Sequence, residues 1–203
     1  MPSPFQPIPG TRTAPRGLFV DHWGTLLRTP SFGHATSPDD VEFLHEAISS
    51  LFQARQNGWN IYLIGNEPSV PDGKIDGATW QAIEDNVINT LHRHGVAITR
   101  NYICTDHPEG RKPHNKDSVY LLPNTGAMYH AMQEDGIQLP SSWVIGNGPL
   151  ELAAGWRAGC RTAGVQVEGE VSEGSLSVEP EVFASSLADA LSQIVSGVAN
   201  TRM

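Results

Sequence analysis

The stretch Gly17-Leu18-Phe19-Val20-Asp21-His22-Trp23-Gly24-Thr25-Leu26 decides the fold. An apolar run that stops abruptly at one carboxylate is the pattern of a strand buried on both faces of a parallel sheet, with its last residue delivered to a loop. Beyond it, Ser37-Pro38-Asp39-Asp40 reads as an N-cap followed by proline at the first helical position. Val41, Leu44, Ala47, Ile48 and Leu51 then recur at helical spacing, so a helix is expected to run to about Asn57-Gly58. Trp59-Asn60-Ile61-Tyr62-Leu63-Ile64 is a second apolar strand, ending in the polar turn Gly65-Asn66-Glu67-Pro68.

The alternation continues. Thr79 to His94 has Trp80, Ile83, Val87 and Leu91 at helical spacing, and Val96 to Cys104 follows as a strand region. Met128 to Asp135 is a helix closed by Gly136, Ser142 to Asn147 a strand, and Leu150 to Ala158 a helix closed by Gly159. Thr162 to Val167 is a further strand and Leu187 to Val195 a last helix. Strands alternating with helices predict an α/β fold with a doubly wound parallel sheet, whose sites form at the carboxyl ends of strands near a topological switch point. Asp21, Asn66 and Asn147 occupy such ends.

The chain has 203 residues, enough for one domain with a substantial core. Residues 1–16 hold five prolines and no apolar period, and read as a flexible Pro-rich tail before a single domain over 17–198. A net charge of -9 disfavours any binding mode that rests on neutralising phosphates, so no nucleic-acid partner is expected. Two cysteines make no disulfide framework, no signal-like segment opens the chain, and no apolar run approaches the ~20 residues of a membrane span. A cytoplasmic protein without membrane attachment is the expectation. The eight histidines show no metal-ligand spacing and are assigned no role.

Phe19-Val20-Asp21-His22-Trp23-Gly24-Thr25-Leu26 resembles the first motif of the haloacid dehalogenase (HAD) superfamily, a strand ending in Asp-x-Asp-Gly-Thr. Cys104-Thr105-Asp106-His107-Pro108-Glu109-Gly110 resembles the Cys-Pro-His-His-Pro-Glu-Gly loop of its branch of heptose-bisphosphate and histidinol-phosphate phosphatases. Ser142 to Asn147, followed by Ala158-Gly159-Cys160, resembles that branch's last motif. The resemblance covers about residues 17 to 167 and implies a Rossmann-like sheet, here without a separate cap domain.

The resemblance also implies roles. Asp21 is the nucleophile that would attack phosphorus to give an aspartyl-phosphate. The position of the general acid and base is Trp23, whose indole exchanges no proton near neutral pH. His22, its neighbour on an extended segment, is expected to face away from Asp21. Gly65 and Asn66 stand where a phosphate-binding hydroxyl is usual, and Thr25 with Gly65, Asn66 and Arg111 is the substrate-binding set. The cation falls on Lys112 of Arg111-Lys112-Pro113, or its position is filled by Leu122 of Leu121-Leu122-Pro123-Asn124-Thr125-Gly126-Ala127-Met128, an alignment that keeps the loop length and the following helix. Asp21, Asn147 and Glu151 are the residues for Mg²⁺, with one anionic ligand fewer than usual and a weakened affinity. The broken Cys/His spacing predicts no zinc.

Three functions compete on this reading. One is a weak phosphatase acting on a small phosphorylated, sugar-like metabolite. Another is a pseudoenzyme that keeps the fold as a binding or scaffold module for a protein partner. A third, a metal-independent hydrolase attacking carbon through Asp21, lacks room between Asp21 and Asn66 for a water-excluding helical cap.

Overall fold

The computed structural model describes residues 14–195. Residues 1–13 of the expected tail and 196–198 of the expected domain lie outside the described residues.

Six parallel strands form the main sheet in the order β3-β2-β1-β4-β5-β8. They are β1 (Arg16–Asp21), β2 (Trp59–Ile64), β3 (Arg100–Asn101), β4 (Trp143–Gly146), β5 (Arg161–Val165) and β8 (Val182–Ala184). The helices are α1 (Ala47–Gln56), α2 (Gly77–Arg93), α3 (Gly126–Asp135), α4 (Pro149–Ala158) and α5 (Leu187–Val195), and β6 (Val171–Glu173) with β7 (Leu176–Val178) makes a separate antiparallel hairpin. The sheet grows from β1 toward β3 on one side and from β4 toward β8 on the other, so the switch point lies between β1 and β4.

Strand alternation explains the two-sided core. Leu18 and Val20 of β1 turn to the face that packs Leu51 of α1, Leu91 of α2 and Leu191 of α5. Phe19 between them turns to the other face, with Met128 of α3 and Ala154 of α4. Asp76 caps α2 by accepting from the Thr79 N–H at 2.7 Å, and Gly136 and Gly159 end α3 and α4 in left-handed geometry.

The expected helix from Ser37 is shorter than its periodicity suggests. Only Pro38–Asp40 forms a 3₁₀ turn, and α1 begins at Ala47. Between them the chain runs extended beside Leu26 to Arg28, with the Arg28 N–H donating to the Glu42 carbonyl at 2.8 Å and the Leu44 N–H to that of Leu26 at 3.1 Å. The apolar residues that mimic a helical face are therefore anchored on the loop after β1. The region from Val96 to Cys104 contributes only Arg100–Asn101 as a paired strand, although single backbone bonds from Thr99, Tyr102 and Cys104 keep it alongside β2.

Candidate active site

Asp21 is the last residue of β1, flanked by β2 and β4, and it is buried. The chain leaves the sheet after it, so strand alternation no longer governs the next side chain. His22 consequently turns inward, contrary to the sequence expectation. Its Nδ1 lies 3.4 Å from Asp21 Oδ1 and its Nε2 lies 3.6 Å from Glu67 Oε2, with the side chain 3% exposed.

Glu67, just past β2, is the site's second buried carboxylate, and sequence reasoning gave it no role. Oε2 accepts from the Trp23 indole N–H at 2.8 Å, while Oε1 accepts from the Ser69 N–H at 3.1 Å and its hydroxyl at 2.5 Å. Trp23 thus stands at the site as a donor to Glu67 and carries no exchangeable acid. Burial alone would lower the His22 imidazole, yet Asp21 and Glu67 outweigh it and lift the group to about 9. Burial would likewise raise the Glu67 carboxyl, but the bonds from His22, Ser69 and Trp23 bring it down to about 2.

Gly65 makes this arrangement possible. A Cβ there would sit 2.1 Å from His22 Nδ1 and 2.9 Å from Asp21 Oδ1, and its φ of +145° disfavours an L side chain. The imidazole occupies the space that a side chain at position 65 would need. Asn66 is committed to the loop before α3: its Oδ1 accepts from the Leu122 N–H at 2.8 Å and its Nδ2 donates to the Leu122 carbonyl at 2.9 Å. This clamp brings the Leu122 backbone to the end of β2, while the Leu122 side chain is buried with Phe19 and Tyr62.

The remaining sequence candidates divide. Thr25 is fully buried and its hydroxyl has no hydrogen-bond partner among the described residues. Arg111 is exposed and lies against Gly73, and Lys112 is exposed beside it on the loop after Cys104. Among the described residues, no ion pair or hydrogen bond joins either side chain to Asp21. Asn147 follows β4 and its amide abuts Gly24, where a Cβ would lie 2.0 Å from Nδ2. Glu151 is buried in the first turn of α4 and accepts from the Gly148 N–H at 2.5 Å. Burial and then the Asp21 charge push its carboxyl up to about 7, against backbone hydrogen bonds that lower it. Beside these groups, a cavity of about 270 Å³ is lined by Asn66, Glu67, Pro71, Cys104, Asp106 and His107.

No family model matches the chain. It is 28% identical over 142 residues to the D-glycero-alpha-D-manno-heptose-1,7-bisphosphate 7-phosphatase of Photorhabdus laumondii, covering 70% of this chain and 76% of that protein. It is 26% identical over 189 residues to the D-glycero-D-manno-heptose-1,7-bisphosphate 7-phosphatase of Chlorobaculum tepidum, covering 89% of this chain and 92% of that one. The D,D-heptose 1,7-bisphosphate phosphatase of B. bronchiseptica, solved with magnesium and phosphate, superposes with a TM-score of 0.73 at 20% identity over 90% of this chain and 99% of that chain. The chain resembles the heptose-bisphosphate branch of the HAD superfamily. A HAD-superfamily hydrolase of Ehrlichia chaffeensis shares the fold at a TM-score of 0.59 and 11% identity, over 93% of this chain and all (100%) of that one.

The magnesium in the B. bronchiseptica structure calls for a test of the donors here. Asp21 Oδ1 faces His22, Glu151 Oε1 holds the Gly148 N–H, and Asn147 supplies only an amide. Asp21 Oδ2 and Glu151 Oε2 are the carboxylate oxygens left open beside the Asn147 amide, one anionic ligand fewer than three carboxylates would give a hard dication. These are oxygen donors of the kind Mg²⁺ takes, and Asp21, Asn147 and Glu151 would hold it. Among the described residues, no group of three His, Cys, Asp or Glu side chains gathers as a metal site, and no helix is long and apolar enough to cross a membrane.

Proposed function

We propose that the protein is a HAD-type hydrolase of a small phosphorylated, sugar-like metabolite, with Asp21 as nucleophile. The observation that carries this reading is the buried Asp21 carboxylate at the end of β1, next to the switch point of the sheet. The substrates named for the relatives, heptose bisphosphates, supply the substrate class. An oxygen of Asp21 attacks phosphorus, the bond to the leaving oxygen breaks, and that oxygen departs with its electron pair. Trp23 cannot protonate it, so a substrate with a good leaving group reacts first, and water then opens the aspartyl-phosphate slowly.

A second reading, a binding module without turnover, is favoured by the buried Leu122 side chain where a cation would neutralise transferring charge. Its occupant would be the same class of metabolite or a protein partner. Intact-mass measurement separates the two readings. With an aryl or acyl phosphate, with and without Mg²⁺, a phosphorylated species is expected in the native chain and not in Asp21→Asn. No adduct under any condition would leave the binding module as the function.

A further inference from the structure

The cavity of about 270 Å³ is walled by segments that follow β2, β3 and β4, so it lies at the edge of the sheet where Asp21 ends β1. Its walls are short of hydrogen-bond donors. Pro68 and Pro71 have no backbone N–H, and those of Glu67, Asp72, Cys104, His107 and Leu121 already donate to carbonyl groups. The Asn66 side chain is bound at both ends to Leu122, and the Cys104 thiol donates to the Asp106 carbonyl at 3.4 Å. His107 accepts from the Glu109 N–H at 3.2 Å through Nδ1, so its ring offers a single N–H at Nε2. No lysine or arginine is among the residues that line the cavity. Lys74 and Lys116 are committed to its walls, pairing with Asp72 at 2.9 Å and Asp106 at 3.4 Å, and Arg111 lies along Gly73.

Acceptors, by contrast, are in good supply. Asp72 Oδ1 has no partner among the described residues, and each oxygen of Asp106 keeps a lone pair beyond its contact with His114 or Lys116. Pro68, Pro71, Leu121 and Leu150 add apolar surface. A phosphate dianion needs converging N–H donors and a cation. A hydroxyl-rich ring needs acceptors for its O–H groups and apolar surface for its C–H faces. The volume lies just below the roughly 300–1,000 Å³ of pockets for drug-sized ligands, and suits one ring. We infer that this cavity receives the body of a monophosphorylated sugar or polyol, with Asp72 and Asp106 accepting from its hydroxyls, and rejects a second phosphate on that body. The inference rests on the reading that places the reacting phosphate at Asp21, and it parts from the bisphosphates named for the relatives.

Calorimetric binding of glucose 1-phosphate, glucose 1,6-bisphosphate and orthovanadate to the full chain in excess Mg²⁺ tests it. The monophosphate should bind about tenfold more tightly than the bisphosphate, since like charges brought together at a site select against the wrong ligand. Asp72→Lys should bring the two sugars to within about threefold of each other. Glu173→Lys, the same charge change on the separate β6–β7 hairpin, should leave the native ratio as it is. Should Asp72→Lys not fold, Asp72→Asn should weaken glucose 1-phosphate by about fivefold and leave orthovanadate, which has no body to place in the cavity, unchanged. Equal or tighter binding of the bisphosphate to the native chain overturns the inference, as does a ratio that Asp72→Lys does not move. An adduct on Asp21 from acetyl phosphate, found together with either of those results, keeps the nucleophile reading while the inference falls. The monophosphate preference without any adduct removes the nucleophile and leaves the inference standing as the ligand class of the binding module.

Discussion

Replacing Glu67 by glutamine isolates the charge on the buried pair, because the two side chains have nearly the same shape. The native carboxylate faces His22 Nε2 at 3.6 Å and is 3% exposed, so its loss leaves the imidazolium with Asp21 alone. Removing one partner from a buried ion pair costs about 3–5 kcal/mol. The bonds from His22, Ser69 and Trp23 together bring the Glu67 carboxyl down from 4.5 to about 2, the direction an ion pair requires. A glutamine that lost only a neutral hydrogen bond would cost about 1 kcal/mol. Urea unfolding at pH 6 should therefore show Glu67→Gln about 3 kcal/mol less stable, a midpoint shift on the order of 1–3 M. The pH dependence carries the sign. A depressed carboxyl stabilises above its unfolded value of 4.5, and that stability fades as pH falls through about 2. The raised His22 stabilises below 6.5, and its share fades as pH rises through about 9. The difference between variant and native should be widest from about pH 4.5 to 6.5 and shrink on both sides. A penalty near 1 kcal/mol, flat from pH 5 to 10, would refute the ion-pair account.

Other outcomes follow from the same geometry. Gly65→Ala forces a Cβ into the His22 ring at positive φ, and should lower stability by at least ~1–3 kcal/mol in urea unfolding, with a change in Trp fluorescence as Trp23 and Glu67 shift. Gly155→Ala presses a Cβ to within 2.5 Å of Val144 Cγ2 between α4 and β4, and should cost a similar ~1–3 kcal/mol without altering vanadate binding. Glu151, with its carboxyl raised from 4.5 to about 7, stabilises most below 4.5 and loses that contribution as pH rises through about 7. Glu151→Gln should therefore gain on the native chain between pH 4 and pH 8 in thermal unfolding, and an unchanging difference would rule out the charge conflict with Asp21.

The sheet could be read from the sequence because its signal is local. Apolar runs that stop at Asp21, Ile64 and Gly146 need only burial on both faces to become strands. The segment from Val41 to Leu44 was misread because its apolar spacing satisfies two partners, and the backbone of Leu26 to Arg28 takes it. The three-residue strands β6, β7 and β8 carry too little pattern to stand out. Asp21 was legible from its place after a run. Glu67 was not, since a single carboxylate behind Asn66 has no spacing partner in sequence, and its partners at 22, 23 and 69 meet only in the fold. His22 was misplaced for a related reason: alternation was extended one residue beyond the end of β1.

The charge balance narrows the chemistry that Asp21 can perform. Asp21 and Glu67 carry two negative charges against one on His22, and Glu151 is held near neutrality by its burial and by Asp21 itself. On the reading proposed for Asp21, Trp23 offers no proton to the leaving oxygen, and both His22 nitrogens face carboxylates. On the proposed nucleophile reading, the leaving group departs as an anion. Acyl and anomeric phosphates, whose leaving oxygens are more acidic, satisfy that demand better than primary alkyl phosphates do. The same absence of a proton acceptor slows the attack of water on the aspartyl-phosphate. If Asp21 is the nucleophile we propose, selectivity for the leaving group and persistence of the intermediate are both expected from Trp23 in the position of the general acid and base.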